Sequence, residues 1–408
     1  MEARAAKQAF TFIFLTRLLD SIGFGLIMPV LPSLLTEVGH ITLAEATRTG
    51  GILFLTYAAL QFLFGPLMGA LSDQFGRRPI ILLSLLAFAV DYTMMAWAPT
   101  LMWLFIGRAI AGVAGAVYAP ANAYAADITP PDQRSKMFGR LGAAFGLGFI
   151  IGPALGGLVG ELGPRAPFVL AAVLSAANLV FGYFVLPESH PPERRRKVAW
   201  KRANPLGGLL ALGRYGGVLG IILAYFTFSL AFNVYPGTWA YYTEAKFGWS
   251  SSMIGLSLMG SGVFMALVQF LLTGPIIKKL GEANTAKLGM TVSILGCVAY
   301  AFMPYAWMVF AIQPFVAFQG LVFPTLNGLI SQRVSPTEQG ALQGVMGSMT
   351  ALGSVFGPLA LTQTLAYFTD ANAPVYFPGA AFLLAGFLMS IALLMLFAEL
   401  ARQRRKAI

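Results

Sequence analysis

Cysteine is almost missing: Cys297 is the only one in 408 residues, so the chain can form no internal disulfide. Histidine is nearly as scarce. His40 and His190 stand alone, and nothing has the spacing of a metal-ligand cluster, so no metal site is expected. Charge is scarce too: Asp, Glu, Lys and Arg make up 11% of the chain, where soluble domains carry roughly 25%. So few charges cannot cover a water-facing surface. There is no HExxH string, no polar stretch long enough for a soluble sensor domain, and no N-x-Ser/Thr sequon. These absences argue against an enzyme, a sensor, a disulfide scaffold and a disordered chain.

What fills the sequence is apolar. Residues of the AVILMFWYC class make up 57%, and the mean hydropathy is +0.74. A membrane helix needs about 20 mostly apolar residues to cross about 30 Å of hydrocarbon. Twelve such runs occur, near residues 10–36, 48–72, 79–98, 100–126, 136–160, 166–187, 216–243, 250–277, 285–304, 306–331, 340–368 and 374–399. The first is not a cleavable leader: it is too long, carries Arg17 and Asp20, and runs through Pro29 and Pro32 without a small-residue cleavage site. The expected fold is all-α and integral to a membrane, with twelve transmembrane helices in two pseudo-symmetric bundles. Six helices lie over 1–187, a basic cytoplasmic linker over 188–215, and six more over 216–408.

Orientation follows from the basic residues. If the runs alternate direction, only Arg48, Arg165 and Lys246 fall on one side, and Arg17 and Arg108 lie within spans. The other 22 of the 27 collect on the side of both termini, which is therefore expected to be the cytoplasm. The cluster at 194–202 reads as a topogenic loop drawn to anionic lipid, and no nucleic-acid partner is expected.

The halves repeat. PDQRSKMFGRLGAAFGLGFIIGP (131–153) lies over PTEQGALQGVMGSMTALGSVFGP (336–358) without a gap at an offset of 205. Gly148, Gly152 and Pro153 then fall on Gly353, Gly357 and Pro358, and Gly115 and Asn122 on Gly320 and Asn327. The partner of Arg108 is Gln313. At an offset of 209, Gly274, Pro275 and Glu282 repeat Gly65, Pro66 and Asp73 weakly. Duplicated six-helix halves about an axis along the membrane normal are a transporter architecture, with the substrate path expected between them.

Two segments look mechanical. GALSDQFGRRP (69–79) places Gly69, Asp73, Gly76, Arg77 and Arg78 at a cytoplasmic turn, where charge pairs can latch one state; it also reads as a plain tight basic turn. The fifth run carries Gly148, Gly152, Gly156 and Gly160 on one helical face, with Gly157 and a kink-permitting Pro153 beside them. Packing alone accounts for that stripe, and a hinge is the functional reading.

Four charges lie within spans: Arg17, Asp20, Asp91 and Arg108. Intramembrane charges are expensive and are usually paired or functional. At about 1.5 Å per residue, Asp91 and Arg108 reach matching depths from opposite surfaces and can bridge. Arg17 and Asp20 are three residues apart and can pair locally. Each aspartate reads either as a proton carrier or as a permanent counter-ion. The candidate cavity lining is neutral: Asn122, Asn233, Trp239, Gln269, Gln313, Gln319 and Asn327. For any single one of those, an interhelical hydrogen bond is the commoner role.

These strings resemble the major facilitator superfamily and its drug–proton antiporters: GALSDQFGRRP, GFIIGPALGG (148–157) and GRAIAGVAGA (107–116) all match. LLDSIGFGLIMPVLPSLL (18–35), GRLGAAFGLGFIIGP (139–153) and EQGALQG (338–344) are similar to the tetracycline efflux proteins. The resemblance covers nearly the whole chain. It implies exchange of a metal–tetracycline chelate for a proton, with roles for Asp20, Asp73, Asp91, Arg108 and Gln269. The chain departs from that family at Ser293, where the carriers place an aspartate, and at Ala266, where many have a histidine. Coupling then rests on Asp20 or Asp91.

The function expected is a proton-coupled antiporter that exports a small amphipathic compound by alternating access. The alternative is a proton-coupled importer of a nutrient or siderophore-like solute on the same fold. The expected partners are a small-molecule substrate, protons and the bilayer. No cofactor is expected beyond the proton gradient, although the substrate can arrive as a divalent-metal chelate. A monomer in a bacterial inner membrane fits the same reading.

Overall fold

The computed structural model describes residues 3–115, 118–195, 207, 212–215, 217–335 and 338–407, and every regular element among them is helical. Arg196, Lys197, Lys201 and Arg202 of the basic cluster, together with Ala116 and Pro336, lie outside the described residues. The first part of the chain forms α1 (Ala3–Ile27), α2 (Leu31–Gly39), α3 (Leu43–Phe75), α4 (Arg77–Ala96), α5 (Leu101–Ala114), α6 (Tyr118–Asp127), α7 (Arg134–Gly160) and α8 (Ala166–Val185). The rest forms α9 (Leu219–Phe232), α10 (Val234–Phe247), α11 (Ser251–Leu267), α12 (Thr273–Phe302), α13 (Trp307–Val316), α14 (Val322–Ser331), α15 (Gln339–Thr369) and α16 (Ala380–Ala407).

Ten helical stretches among the described residues are long and apolar enough to cross a bilayer, and Leu101–Ala114 is a shorter apolar helix. One stretch, Ser251–Phe302, is 52 residues long. Unbroken, it would span roughly 78 Å at 1.5 Å per residue, far more than a bilayer. It breaks at Gly281, whose backbone (φ +75°, ψ +161°) is not helical. Phe184 is 79% exposed and Phe270 75%. Such side chains suit a lipid-facing surface and would be liabilities in water.

Two runs expected to be continuous are interrupted. The first stops at Ile27 and resumes at Leu31 with proline in its opening turn. Pro29 has no N–H to offer to the ladder. The seventh breaks at Asn233, with Pro236 in the next turn.

The described residues form two compact units. One comprises 1–41, 56–205 and 250–259, the other 42–55, 206–249 and 260–408. The chain changes unit at 41–42, 55–56, 205–206, 249–250 and 259–260. In the first unit α1 lies along α7 and α4 along α8. In the second, α9 lies along α15 and α16, and α12 along α16. Cys297 is buried in α12 with its Sγ 3.8 Å from Met389 Sδ.

The helix pairs show the internal repeat. A methyl group added at Gly148 would meet Ser21 and Leu18 O on α1, and one added at Gly152 would meet Ile22 O and Gly25. In the second unit Gly353 faces Ser229 on α9, and Gly357 faces Leu230 O and Asn233. Backbones this close pack by van der Waals contact, which is what drives helix association in lipid. One register is corrected. Gly281 has almost the conformation of Gly76 (φ +104°, ψ +157°), so the turns correspond at the offset of 205, not 209. Glu282 therefore stands where the first half has Arg77, not Asp73.

Candidate functional site

Asp91 on α4 and Arg108 on α5 meet, as the sequence positions of the two charges predict. Asp91 is fully buried and Arg108 is 9% exposed. Arg108 Nε donates to Asp91 Oδ1 at 3.2 Å, and its Nη2 closes a second contact on Oδ2. Glycines on α5 make the room. A methyl at Gly107 would stand 2.8 Å from Asp91 Oδ1, and one at Gly112 would stand 2.7 Å from the Tyr57 carbonyl. The second close approach brings α3 against the pair. The Arg108 guanidinium then lies 5.5 Å from the centre of the Tyr57 ring and 5.7 Å from that of Tyr92. Two aromatic faces and one carboxylate thus surround the cation. Removing the carboxylate's charge alone would strand a buried guanidinium.

Arg17 and Asp20 sit half-buried one turn apart on α1, and neither lacks a polar or electrostatic partner.

The turn at Gly76 is a charge network. Asp73 bridges Arg77 at 2.6 Å, and Arg77 Nε reaches Asp127 Oδ2 at 3.5 Å. Glu188, just beyond α8, accepts the backbone N–H of Arg77 (2.9 Å) and of Arg78 (3.2 Å). A carboxylate there satisfies orphan donors at the start of α4 and opposes its dipole. Arg78 Nη2 donates to the Tyr183 carbonyl at 2.7 Å. Gly69 lends its carbonyl to Ser72 Oγ (2.7 Å), which in turn accepts from Arg77. Sequence reading named Gly69, Asp73, Gly76, Arg77 and Arg78 but missed Asp127 and Glu188. The only signal for those two was a lone acid at the end of an apolar run.

On α7, Gly148, Gly152 and Gly156 abut α1 at Leu18, Ile22 and Leu26, while Gly157 turns to Ser251, Ser252 and Gly255. Pro153 lies against Gly25. Glu161, just past α7, accepts the Ser252 N–H at 3.0 Å. Its hydrogen bonds to Ser252 hold the carboxyl below the usual range.

Of the neutral candidates, Asn233 is an interhelical bond: its Nδ2 donates to the carbonyls of Ser229 (2.8 Å) and Gly353 (3.2 Å). Trp239 is buried among Tyr235, Tyr242, Tyr300 and Phe382. Gln313 is buried against Gly260. Gln319 is buried, and neither its Oε1 nor the nearby Tyr235 hydroxyl makes a hydrogen bond of normal geometry among the described residues. Asn122 and Asn327 are half-buried. Gln269 is exposed on a π-helical turn (Val268–Leu272), its Nε2 3.5 Å from the Gly320 carbonyl. Ser293 is buried and donates to Gly289 O of its own helix at 2.8 Å, and Ala266 is half-buried. No cluster of three metal-ligating side chains occurs among the described residues.

The Major Facilitator Superfamily model matches residues 13–358 and 221–407. The chain belongs to the major facilitator superfamily. Within it the chain is similar to the tetracycline resistance protein of class C from Escherichia coli, 40% identical over 92% of this chain and 94% of that one. The class D protein of Salmonella ordonez is 38% identical over the same shares. Among solved structures, an inward-facing, unoccupied bacterial homolog of the human lysosomal transporter Spinster superposes with a TM-score of 0.79. It covers 98% of both chains at 15% identity, a likeness of fold. This superfamily member is a transporter acting on small molecules in the membrane, not an enzyme.

Proposed function

We propose that the protein exports a tetracycline-type drug in exchange for protons, by alternating access between two six-helix halves. Its similarity to tetracycline resistance proteins over nine-tenths of its length supports the drug class. The observation that carries the coupling is the buried Asp91–Arg108 pair, with Asp20 on α1, whose Gly23 abuts Tyr92 of α4. A carboxylate that exchanges a cationic partner for a proton changes the charge of the membrane interior by one unit. That change is the least equipment a proton-driven cycle needs. Asp91 is the fixed counter-ion in this reading and Asp20 is the titrating acid, since Ser293 supplies none in the second half.

The substrate is expected to bind against neutral and aromatic groups, chiefly Tyr235, Trp239 and Gln319, and to arrive as a divalent-metal chelate. Gln319 Oε1 and the Tyr235 hydroxyl, buried polar atoms that make no hydrogen bond of normal geometry among the described residues, support that placement. Counting Ser251–Phe302 as two passes, and α5 with α6 as one, gives twelve crossings. The basic asymmetry then puts both termini in the cytoplasm, in a bacterial inner membrane, and the protein works as a monomer.

The deciding experiment is uptake of tetracycline with magnesium into inverted vesicles under an imposed proton gradient, acid inside. Accumulation that collapses with a protonophore is the expected result. Accumulation indifferent to the gradient would remove proton coupling, and no accumulation would remove the substrate.

A further inference from the structure

Four features converge on Tyr57, a residue of α3 that no sequence motif singled out. Its ring covers one face of the Arg108 guanidinium, and Tyr92 lies on another side. Gln61, one turn along α3, donates through Nε2 to both the Tyr57 hydroxyl (3.1 Å) and the Gly115 carbonyl (3.1 Å). Gly112 lets the α3 backbone approach at Tyr57 itself. Gly115 leaves space for the hydroxyl, which would stand 3.2 Å from an added methyl.

The direction of the Gln61 amide is settled by chemistry. A carbonyl can only accept, so the group facing Gly115 O is the NH2. The same NH2 faces the Tyr57 oxygen, so that oxygen acts as an acceptor, and its own proton is left to donate elsewhere. Gly23 of α1 abuts the Tyr92 hydroxyl, 2.7 Å from an added methyl, and Asp20 stands one turn from Gly23 on the same helix face, which brings a carboxylate toward the site. The charged or titratable groups around the site are Asp20 from α1, Asp91 and Tyr92 from α4, and Arg108 from α5. A residue kept only for packing would need neither the amide bridge nor the hydroxyl.

We propose that Tyr57, oriented by Gln61, is a positioning residue of the coupling site. Its ring keeps Arg108 on Asp91, and its hydroxyl proton serves the ionised carboxylate of Asp20. No covalent step is involved. The proposal rests on the coupling assignment above, and it separates the two jobs of one side chain, ring and hydroxyl.

Two substitutions test the jobs apart. Tyr57→Phe keeps the ring and removes the donor. Exchange should keep its substrate KM within twofold, while the midpoint of its pH profile moves upward by about half a unit or more. Gln61→Leu should move it the same way. Tyr57→Leu removes the ring as well and should lower turnover at least tenfold.

A second readout needs no transport. Melting temperatures of purified wild type, Tyr57→Leu, Asp91→Asn and the double variant should be non-additive, because both single changes loosen the same guanidinium. Additive melting would overturn the ring's role. An unmoved pH profile in Tyr57→Phe, or an unmoved pH dependence of its melting if the wild type does not exchange protons, would overturn the hydroxyl's. Failure of proton-driven uptake in the wild type would remove the coupling assignment but leave both melting tests able to decide.

Discussion

Gly76 and Gly281 stand 205 residues apart and hold nearly one conformation, φ +104° and ψ +157° against φ +75° and ψ +161°. The charges around them are reversed. Asp73 and Arg77 flank the first turn where Lys278 and Glu282 flank the second. Backbone geometry was repeated while the sign of the flanking charges was not.

Both glycines occupy a region that is essentially glycine-only, where another residue costs about 1–3 kcal/mol. A methyl at Gly281 meets nothing within 4 Å, whereas one at Gly76 runs into the Glu188 carboxylate. Gly281→Ala should therefore lower the melting temperature by backbone strain alone, and Gly76→Ala should lower it further. Equal losses at the two sites would contradict the clash with Glu188.

Glu188→Ala removes the acceptor for two N–H groups at the start of α4. The expected loss is about 1 kcal/mol, the usual worth of a helix cap. Combining it with Gly76→Ala should cost less than the two separately, because both disturb one contact. Thermal unfolding in detergent of the two single variants and the double variant checks this.

Asp91→Asn leaves a buried guanidinium without its counter-ion and should destabilise by about 3–5 kcal/mol. Adding Arg108→Gln should restore part of that loss, since the second change removes the stranded charge. A double variant that melts below Asp91→Asn would show that the pair is not the dominant interaction of either residue.

Glu161 gives a pH-dependent prediction. Hydrogen bonds to Ser252 hold its carboxyl below the usual 4.5 in the folded chain. The cap at the start of α11 is therefore fully present above about 4.5 and is lost as the pH falls through the lower, folded value. Wild type should out-melt Glu161→Gln at neutral pH, and the two curves should merge as the medium is acidified through the lower, folded value. Curves that stay parallel through that range would refute the cap.

The Asp91–Arg108 bridge was legible in the sequence because depth in a bilayer is simple arithmetic on helix position. The glycines facing Leu18 and Ile22 were legible because their spacing is that of one helix face. Asp127 and Glu188 were not, since they reach Arg77 across 50 and 111 residues and carry no periodic signal. The turn register was misread because matching Gly-Pro pairs outweighed the position of Gly281, whose conformation no residue identity reveals. Asn233 is an interhelical bond, as its alternative reading allowed. Gln269 is exposed within a π-helical turn, an element that its sequence does not signal. Tyr57 was passed over for a different reason: an aromatic residue in an apolar run looks like any other.

Cys297 is fully buried in α12 against Met389, and it is the one thiol in the chain. Soluble maleimides applied from either side of the bilayer therefore meet no native target. A cysteine introduced anywhere along the transport path will be labelled against a silent background, and its reactivity in the presence or absence of drug reads that position alone. The natural sequence already supplies the blank that site-by-site accessibility mapping requires.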